Sequence, residues 1–587
     1  MPVPPGSMSG PGMMASPGQS GVYNAPPGSM APGMPGQAGA MGSPGYVPPN
    51  AGDTLPNLAE MDQSIVCNPN FLRSTASHVL KSKTLAAAAK VPMGVICHPM
   101  AGDTIDGNPD IKVVDFGKAG IVRCKKCRTY INPYVTWHDN GRKWKCNICG
   151  LMNDVPDDYY SHLNQDGQRR DKEQRPELTD CSVEFVAPQD YMVRAPVPPV
   201  YFFVIDVSST AAQSGMLQSM VNAIKASLDT LPGGPRTQVG FITFDTCVHY
   251  YNLHANLSAP QMHVVSDIND IILPLPEDLL VNLQDSRKVV DSLLDGLPSM
   301  FANNQAILNC TGPAILAAFR IIQEVGGKML LFQTSLPTMG LGTLKSRENP
   351  RLLNTDKEHQ LLIPEDKWYS ERAVELSAKQ ICVDTFLFSG QYTDVATLST
   401  LSRYTGGQVH YYPNFNSVHM GGKFEAELKR CLTRPTGFEA VMRVRATRGL
   451  RITSFYGNYY VRGTDLLALP NCTTDSCFGF DMTYDDPVLI GDAMTVQAAL
   501  LYTTSDGERR IRVHTMLLPV TENFSQYMDT VDVSCAVNLV MKQATDVATK
   551  VGFRQARDKV HQLTLDVLRA SEQAKRQPGA TATDHES

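Results

Sequence analysis

The sequence predicts a multidomain chain of mixed α/β and all-β class. It has a small four-cysteine module, a doubly wound α/β trunk, a β-sandwich or barrel, and a partial helical domain. Three observations predict this. Two Cys-x-x-Cys pairs lie between Arg123 and Asn153, apolar strands alternate with helical stretches from Val200 to Tyr412, and short strands without helices run from Ala440 to Met516. The 587 residues, 42% of them hydrophobic, suffice for several such cores.

Residues 1–56 come first. Up to residue 50 they are rich in Pro and Gly and include no Asp, Glu, Lys or Arg, so they have little to bury and are expected to be a disordered spacer. Residues 57–117 turn globular and end in the apolar run V-P-M-G-V-I-C-H-P, from Val91 to Pro99. This segment is short for a domain. It is expected to donate strands to the later β-barrel.

The module at 118–158 holds Cys124 and Cys127, then Cys146 and Cys149. Each Cys-x-x-Cys turn aims two thiolates at one point, and two turns supply the four sulfurs that one tetrahedral Zn²⁺ takes at about 2.3 Å. The spacing between the pairs lies in the zinc range. Disulfides or a redox motif fit less well, because a redox Cys-x-x-Cys occurs once, at the head of a helix, whereas this one is doubled among Lys and Arg. Four protein ligands leave no open position, so such an ion is a structural staple. The other ten cysteines are scattered singly, apart from Cys472 and Cys477, as suits reduced, buried thiols.

Residues 159–198 are charged, then β-like over C-S-V-E-F-V-A, and close on a Pro-rich run that marks a boundary. The trunk, 199–434, opens on V-Y-F-F-V-I-D, and strands then alternate with helices. Right-handed crossovers and a parallel sheet covered on both faces follow. The β-sandwich or barrel spans 435–521. The tail, 522–587, is helical, with an apolar stripe through Val533, Val537, Val540, Ala544, Val547 and Val551 and then Phe553, Ala556, Val560, Leu563 and Val567.

The sequence offers no catalytic constellation. Asp206, Ser208 and Thr210 follow the first trunk strand, where a von Willebrand A-like sheet holds Mg²⁺ through hard oxygens, with Thr311 available from a second loop. The later carboxylate such a site requires is replaced by Gln333 and Thr334, so Asp206 is expected to be a strand-end residue and not a metal ligand. No Gly-Lys pair is followed by Ser or Thr, so there is no phosphate loop. The chain reads as a non-enzyme. No apolar run reaches the length of a membrane helix and no signal peptide opens the sequence, so any membrane association is expected to be peripheral.

The positive signal is electrostatic. Lys118, Arg123, Lys125, Lys126, Arg128, Arg142, Lys143 and Lys145 face a single acid, Asp139, within a chain of net charge −6. Arg510 and Arg512 alternate on one strand and therefore share a face. Guanidinium groups fixed in this way suit bidentate capture of carboxylates. The rival reading is a zinc-ribbon nucleic-acid-binding protein, with Tyr130, Tyr134, Trp137 and Trp144 as stacking platforms, but in so small a module these rings serve more simply as its core. No nucleic acid is expected.

The order of modules, with the motifs V-R-C-K-K-C-R-T-Y-I-N-P, W-K-C-N-I-C, R-P-E-L, G-F-E-A-V-M-R-V-R and G-E-R-R-I-R-V-H, resembles the cargo-adaptor subunit of the COPII vesicle coat, the Sec24 family. The resemblance implies a coat component on the cytosolic face of endoplasmic-reticulum exit sites, acting in ER-to-Golgi transport. It implies pairing through the trunk with the sister subunit that activates the Sar GTPase, indirect contact with the outer coat layer, and binding of the export signals of cargo and SNARE proteins. It assigns acidic-signal binding to Arg123, Arg128, Arg510 and Arg512. Family members continue through a longer helical bundle and a gelsolin-like domain, so the chain is expected to be C-terminally truncated, with residues 531–587 poorly soluble or partner-dependent.

Overall fold

The computed structural model describes residues 54–102, 110–117, 120–192 and 194–576. Nearly all of the Pro/Gly-rich tail, Lys118 and the polar stretch from Gln577 lie outside the described residues.

The trunk is built around Val200–Asp206, whose seven residues are all buried. Gln238–Phe244 and Gly327–Gln333 flank it in parallel, and Ile381–Leu387 and Val409–Tyr411 continue the parallel order on the second side. A strand apolar on both faces needs cover on both, and helices supply it. Met216–Lys225, Arg287–Met300 and Ser417–Thr433 enclose one core through Met220, Leu293 and Phe424. Thr311–Ile322, Lys367–Ala378 and Val395–Thr405 enclose the other through Ile315, Ala373 and Leu398.

The sheet is not purely parallel. Val248–Asn252 and Gln261–Val265 extend it as an antiparallel meander from Gln238–Phe244, and neither was legible as a strand. Gln261–Val265 is an edge strand with Met262 and Val264 exposed, so it lacks the buried apolar pattern that announces a strand. Within the sheet, Lys328 Nζ lies 3.2 Å from Asp384 Oδ2, each side chain 1% exposed, with Arg434 beside the same carboxylate.

The all-β region is a sandwich. Its larger sheet contains Leu466–Thr473, Thr436–Ala446, Ala493–Thr503, Arg509–Thr521 and Ser182–Val186 in that spatial order. The smaller joins Leu72–Ser74, Gly94–Cys97, Phe478–Tyr484 and Leu450–Tyr456. Between them, Val95, Phe480 and Met482 pack with Met442, Leu469 and Leu500. Chain from before the four-cysteine module is thus paired with chain from after the trunk.

Val533–Lys550 lies against the smaller sheet. A Cβ at Gly94 would fall 2.5 Å from Leu539 Cδ2 and 2.4 Å from the Phe480 carbonyl, so only glycine permits this approach. The buried face of the tail differs from the stripe read in the sequence. Ala556 is buried as the stripe predicts, but the other buried residues, Cys535, Leu539, Ala548, Ala570 and Ala574, lie off it, and Val533, Val537, Val551 and Phe553 on it are exposed. Valine spacing marked a helix correctly but not the side on which this sheet receives it. No helix of the described residues is long and apolar enough to cross a membrane.

Candidate functional site: the four-cysteine module and its arginines

Three short strands, Thr136–His138, Lys143–Lys145 and Met152–Asp154, form a small sheet whose last two strands flank the Cys146/Cys149 turn, and a bridge between Arg123 and Tyr130 closes the Cys124/Cys127 turn. The turns are built alike. Arg128 N donates to Cys124 O at 3.0 Å and Gly150 N to Cys146 O at 2.9 Å, closing each around its sulfurs. The residue after each second cysteine is left-handed, Gly150 at φ 78° and Arg128 at φ 60°. Glycine tolerates that conformation, but an arginine held there stores about 1–2 kcal/mol of strain.

The sulfurs converge. Cys124 and Cys149 lie 3.5 Å apart, as do Cys127 and Cys146, and all four sulfurs fall within 4.8 Å of one another. A tetrahedral ion with bonds of about 2.3 Å sets sulfurs about 3.8 Å apart, so the donors present fit Zn²⁺. Hydrogen bonds from Cys127, Cys146 and Cys149 hold the Cys124 thiol below its ordinary value, while burial pushes the Cys146 thiol up. Asn153 supports the cluster, donating to Cys124 Sγ at 3.7 Å and accepting from Lys125 N at 2.8 Å. The module rings are core, since Tyr130, Tyr134 and Trp144 are fully buried.

The module docks on the larger sheet through an amide clasp. Gln497 Oε1 accepts from Tyr130 N at 2.8 Å while its Nε2 donates to Tyr130 O at 3.1 Å. Below it, Phe185, Ile511, Val513, Ala499 and Leu501 pack against Tyr130, Ile131 and Trp144.

The basic patch is smaller than its residue count. Lys125 pairs with Asp154 at 2.8 Å and Lys143 with Asp139 at 2.9 Å, while Lys145 Nζ donates to Thr54 Oγ1 at 2.8 Å. Asp154 lies beyond the window in which the sequence showed one acid. Arg123 and Arg128 are brought together: Arg123 Nε and Nη2 donate to the Arg128 carbonyl at 3.0 and 2.8 Å, and Nη1 to the Tyr191 hydroxyl at 3.0 Å. The Arg123 guanidinium lies 4.2 Å over the Tyr130 ring, which fixes its plane. Arg128 is exposed.

Arg510 and Arg512 share a face, but not this one. On their strand the module packs on Ile511 and Val513, and alternation turns Arg510 and Arg512 to the opposite side of the sheet. There Arg512 Nε donates to Glu184 Oε1 at 3.0 Å, Arg510 Nη1 to Glu184 Oε2 at 3.5 Å, and Arg510 also pairs with Glu508.

The module face is completed by a residue sequence reasoning passed over. Arg445 is opposite Gln497 in register and so lies on the module side of the sheet. Its Nε donates to Cys127 O at 2.9 Å, but Nη1 and Nη2 are buried with no hydrogen-bond partner. Burial, with Arg123 and Arg443 nearby, pulls its pKa down to about 10, the mark of a cation short of an anion. The R-V-R alternation was its available signal.

Asp206 accepts from Ser208 N and Thr334 N, both at 2.9 Å, and from Thr334 Oγ1 at 2.7 Å, so both its oxygens are occupied within the strand-end turn. Thr311 Oγ1 donates to Asn309 Oδ1 at 2.7 Å.

Comparison with known proteins matches three family models, the Sec23/Sec24 zinc finger over 121–159, the Sec23/Sec24 trunk domain over 196–432 and the Sec23/Sec24 beta-sandwich domain over 437–521. Protein transport protein SEC24 A of Arabidopsis thaliana is 46% identical over 545 residues, 92% of this chain and 52% of that protein. Protein transport protein Sec24A of Bos taurus is 43% identical over 532 residues, 89% of this chain and 47% of that protein. The chain therefore spans about half the length of these curated relatives. The crystal structure of the human COPII-coat protein Sec24c superposes with a TM-score of 0.81 at 34% identity, covering 88% of this chain and 69% of that one. With module, trunk and sandwich each matched in order, the chain belongs to the Sec23/Sec24 family, on its Sec24 side.

Proposed function

We propose that this chain is a non-enzymatic cargo adaptor of a COPII-type coat, selecting membrane proteins for ER-to-Golgi vesicles through acidic export signals. The observation that carries the reading is Arg445, a guanidinium with two buried nitrogens unpartnered, beside Arg123 and Arg128 on the module face. A buried cation without a counter-ion is costly, and a carboxylate held by Arg123 and Arg128 above it lowers that cost through the attraction of its charge. Arg123 and Arg128 frame the approach and Arg445 lies beneath. Arg510 and Arg512, given to the same pocket by family resemblance, are a second, internally neutralised pair in this reading.

One structural Zn²⁺ on Cys124, Cys127, Cys146 and Cys149 would hold the frame rigid without taking part in binding. The trunk pairs with the sister subunit that activates the Sar GTPase, and the adaptor works on the cytosolic face of ER exit sites, peripheral to the membrane. Family membership and the Sec24 relatives support this placement.

The test is fluorescence anisotropy with an acidic export-signal peptide. Arg123→Ala with Arg128→Ala is expected to weaken binding at least tenfold with zinc content unchanged, and Arg445→Met to do the same. Equal affinity in all three proteins would remove the module face from the account.

A further inference from the structure

We propose that the trunk carries a second metal site, for a first-row divalent cation of the zinc type, formed by Asp245, Cys247 and His249 at the hairpin that follows strand Gln238–Phe244. These three residues have no part in the four-cysteine module. They alternate across a tight turn, so one short hairpin aims a carboxylate, a thiol and an imidazole at one point.

The donor distances match a tetrahedral ion. Cys247 Sγ lies 3.3 Å from His249 Nε2 and 3.5 Å from Asp245 Oδ1, and His249 Nε2 lies 3.8 Å from Asp245 Oδ1. Bonds of about 2.3 Å to sulfur and about 2.0 Å to nitrogen and oxygen give tetrahedral edges of about 3.5, 3.5 and 3.3 Å. Each observed edge is within about half an ångström of its ideal, a change small side-chain rotations supply.

Outer contacts orient the ligands as metal sites require. Thr243 Oγ1 lies 3.0 Å from His249 Nδ1, which holds the ring with Nε2 toward the sulfur. Asn304 Nδ2 donates to Asp245 Oδ2 at 2.9 Å and Cys247 N donates to Oδ1 at 3.2 Å, so the two contacts fix the carboxylate with Oδ1 on the cluster side. Asp245 and His249 are buried and Cys247 half-buried. A thiolate and a carboxylate balance a divalent charge within the site, so the ion is not left as an uncompensated charge in the interior.

Sulfur, nitrogen and oxygen together select zinc or cobalt over magnesium or calcium, which take oxygen alone. Three protein ligands leave a fourth position open, the arrangement that distinguishes this site from the closed four-cysteine staple.

Metal content of the full chain tests the proposal, with Zn²⁺ and Co²⁺ as probes. Titration is expected to reach two equivalents per chain, and the second Co²⁺ to add thiolate-to-metal absorption beyond that of the four-cysteine site. Cys247→Ala is expected to remove the second equivalent and leave the first. Thr243→Val keeps every ligand and is expected to weaken the second equivalent 10–100-fold, a loss that tells orientation from folding when thermal melts of the two chains, each carrying one equivalent, match. Saturation at one equivalent in the unaltered chain, or a second equivalent that survives Cys247→Ala, overturns it.

Discussion

Glu184 and Arg512 stand directly opposite one another on antiparallel strands, and Arg512 Nε donates to Glu184 Oε1 at 3.0 Å. The same carboxylate receives the Tyr502 hydroxyl and Arg510. Glu184 therefore pairs with both strand arginines that the sequence offered for carboxylate capture, and Glu508 supplies the second negative charge at Arg510. In the Arg123→Ala/Arg128→Ala background, adding Glu184→Gln is expected to raise acidic-peptide affinity about tenfold, equivalent to about 1.4 kcal/mol. Anisotropy titration reads it. Unaltered affinity would mean that Glu184 is not what silences this face.

Arg128 sits at φ 60° where the matching turn has Gly150. Arg128→Gly is expected to stabilise the module by up to about 1 kcal/mol by releasing left-handed strain, while weakening peptide binding. Opposite movements of melting temperature and affinity would identify strain kept for recognition. A variant that is both less stable and fully active would contradict it.

Removing zinc should act on structure first. Chelation, or Cys146→Ser, is expected to unfold the module and expose Trp144, which is fully buried. Tryptophan emission shifting to the red in step with zinc release is the measurement.

His514 is buried between Pro99 and Ser182: Nε2 donates to the Pro99 carbonyl at 3.0 Å, and Nδ1 accepts from the Ser182 hydroxyl at 2.8 Å. Burial holds it neutral and moves its pKa down to about 3. Below pH 6.5 the unfolded chain takes up a proton that the folded chain refuses, so this contribution is full above that pH and lost as pH falls toward about 3. Between pH 7 and pH 5 the loss is about 2 kcal/mol. Urea denaturation at the two pH values should show it, and His514→Gln should flatten the difference.

Burial alone would raise the Asp384 carboxyl, but Lys328 and Arg434 beside it hold it well below the usual carboxylate range. With Lys328 also buried, Asp384→Asn strands a cation in the trunk core and is expected to cost about 3–5 kcal/mol. Because the folded pKa is depressed, the stability it gives is present above the ordinary carboxylate value and lost only as pH falls below it. A melting temperature unchanged at pH 7 would count against this role.

The parts legible in the sequence were those that repeat a local pattern. Apolar runs such as Val200–Asp206 predict buried parallel strands, and the doubled Cys-x-x-Cys predicts convergent sulfurs because both depend on spacing alone. The arginines were legible as charge and not as position. Alternation tells that Arg510 and Arg512 share a face, but which face meets the module is decided by Phe185 and Ile511 packing beneath Tyr130, a contact between chain segments far apart in sequence. Arg445 was missed for the same reason. Asp154, Asp139 and Glu184 reduce the basic count through contacts, two of which cross from strands the charge window did not include.

Gln497 clasps both backbone groups of Tyr130, so the module has no free rotation on its sheet and Arg123, stacked on that same ring, inherits a fixed bearing. On the proposed function, a flexible signal peptide would bear the whole entropic burden of docking, while the receptor would lose almost nothing on contact. Discrimination between signals should accordingly be written in how long each stays bound, with residence times spreading widely and association rates scarcely changing from one peptide to the next.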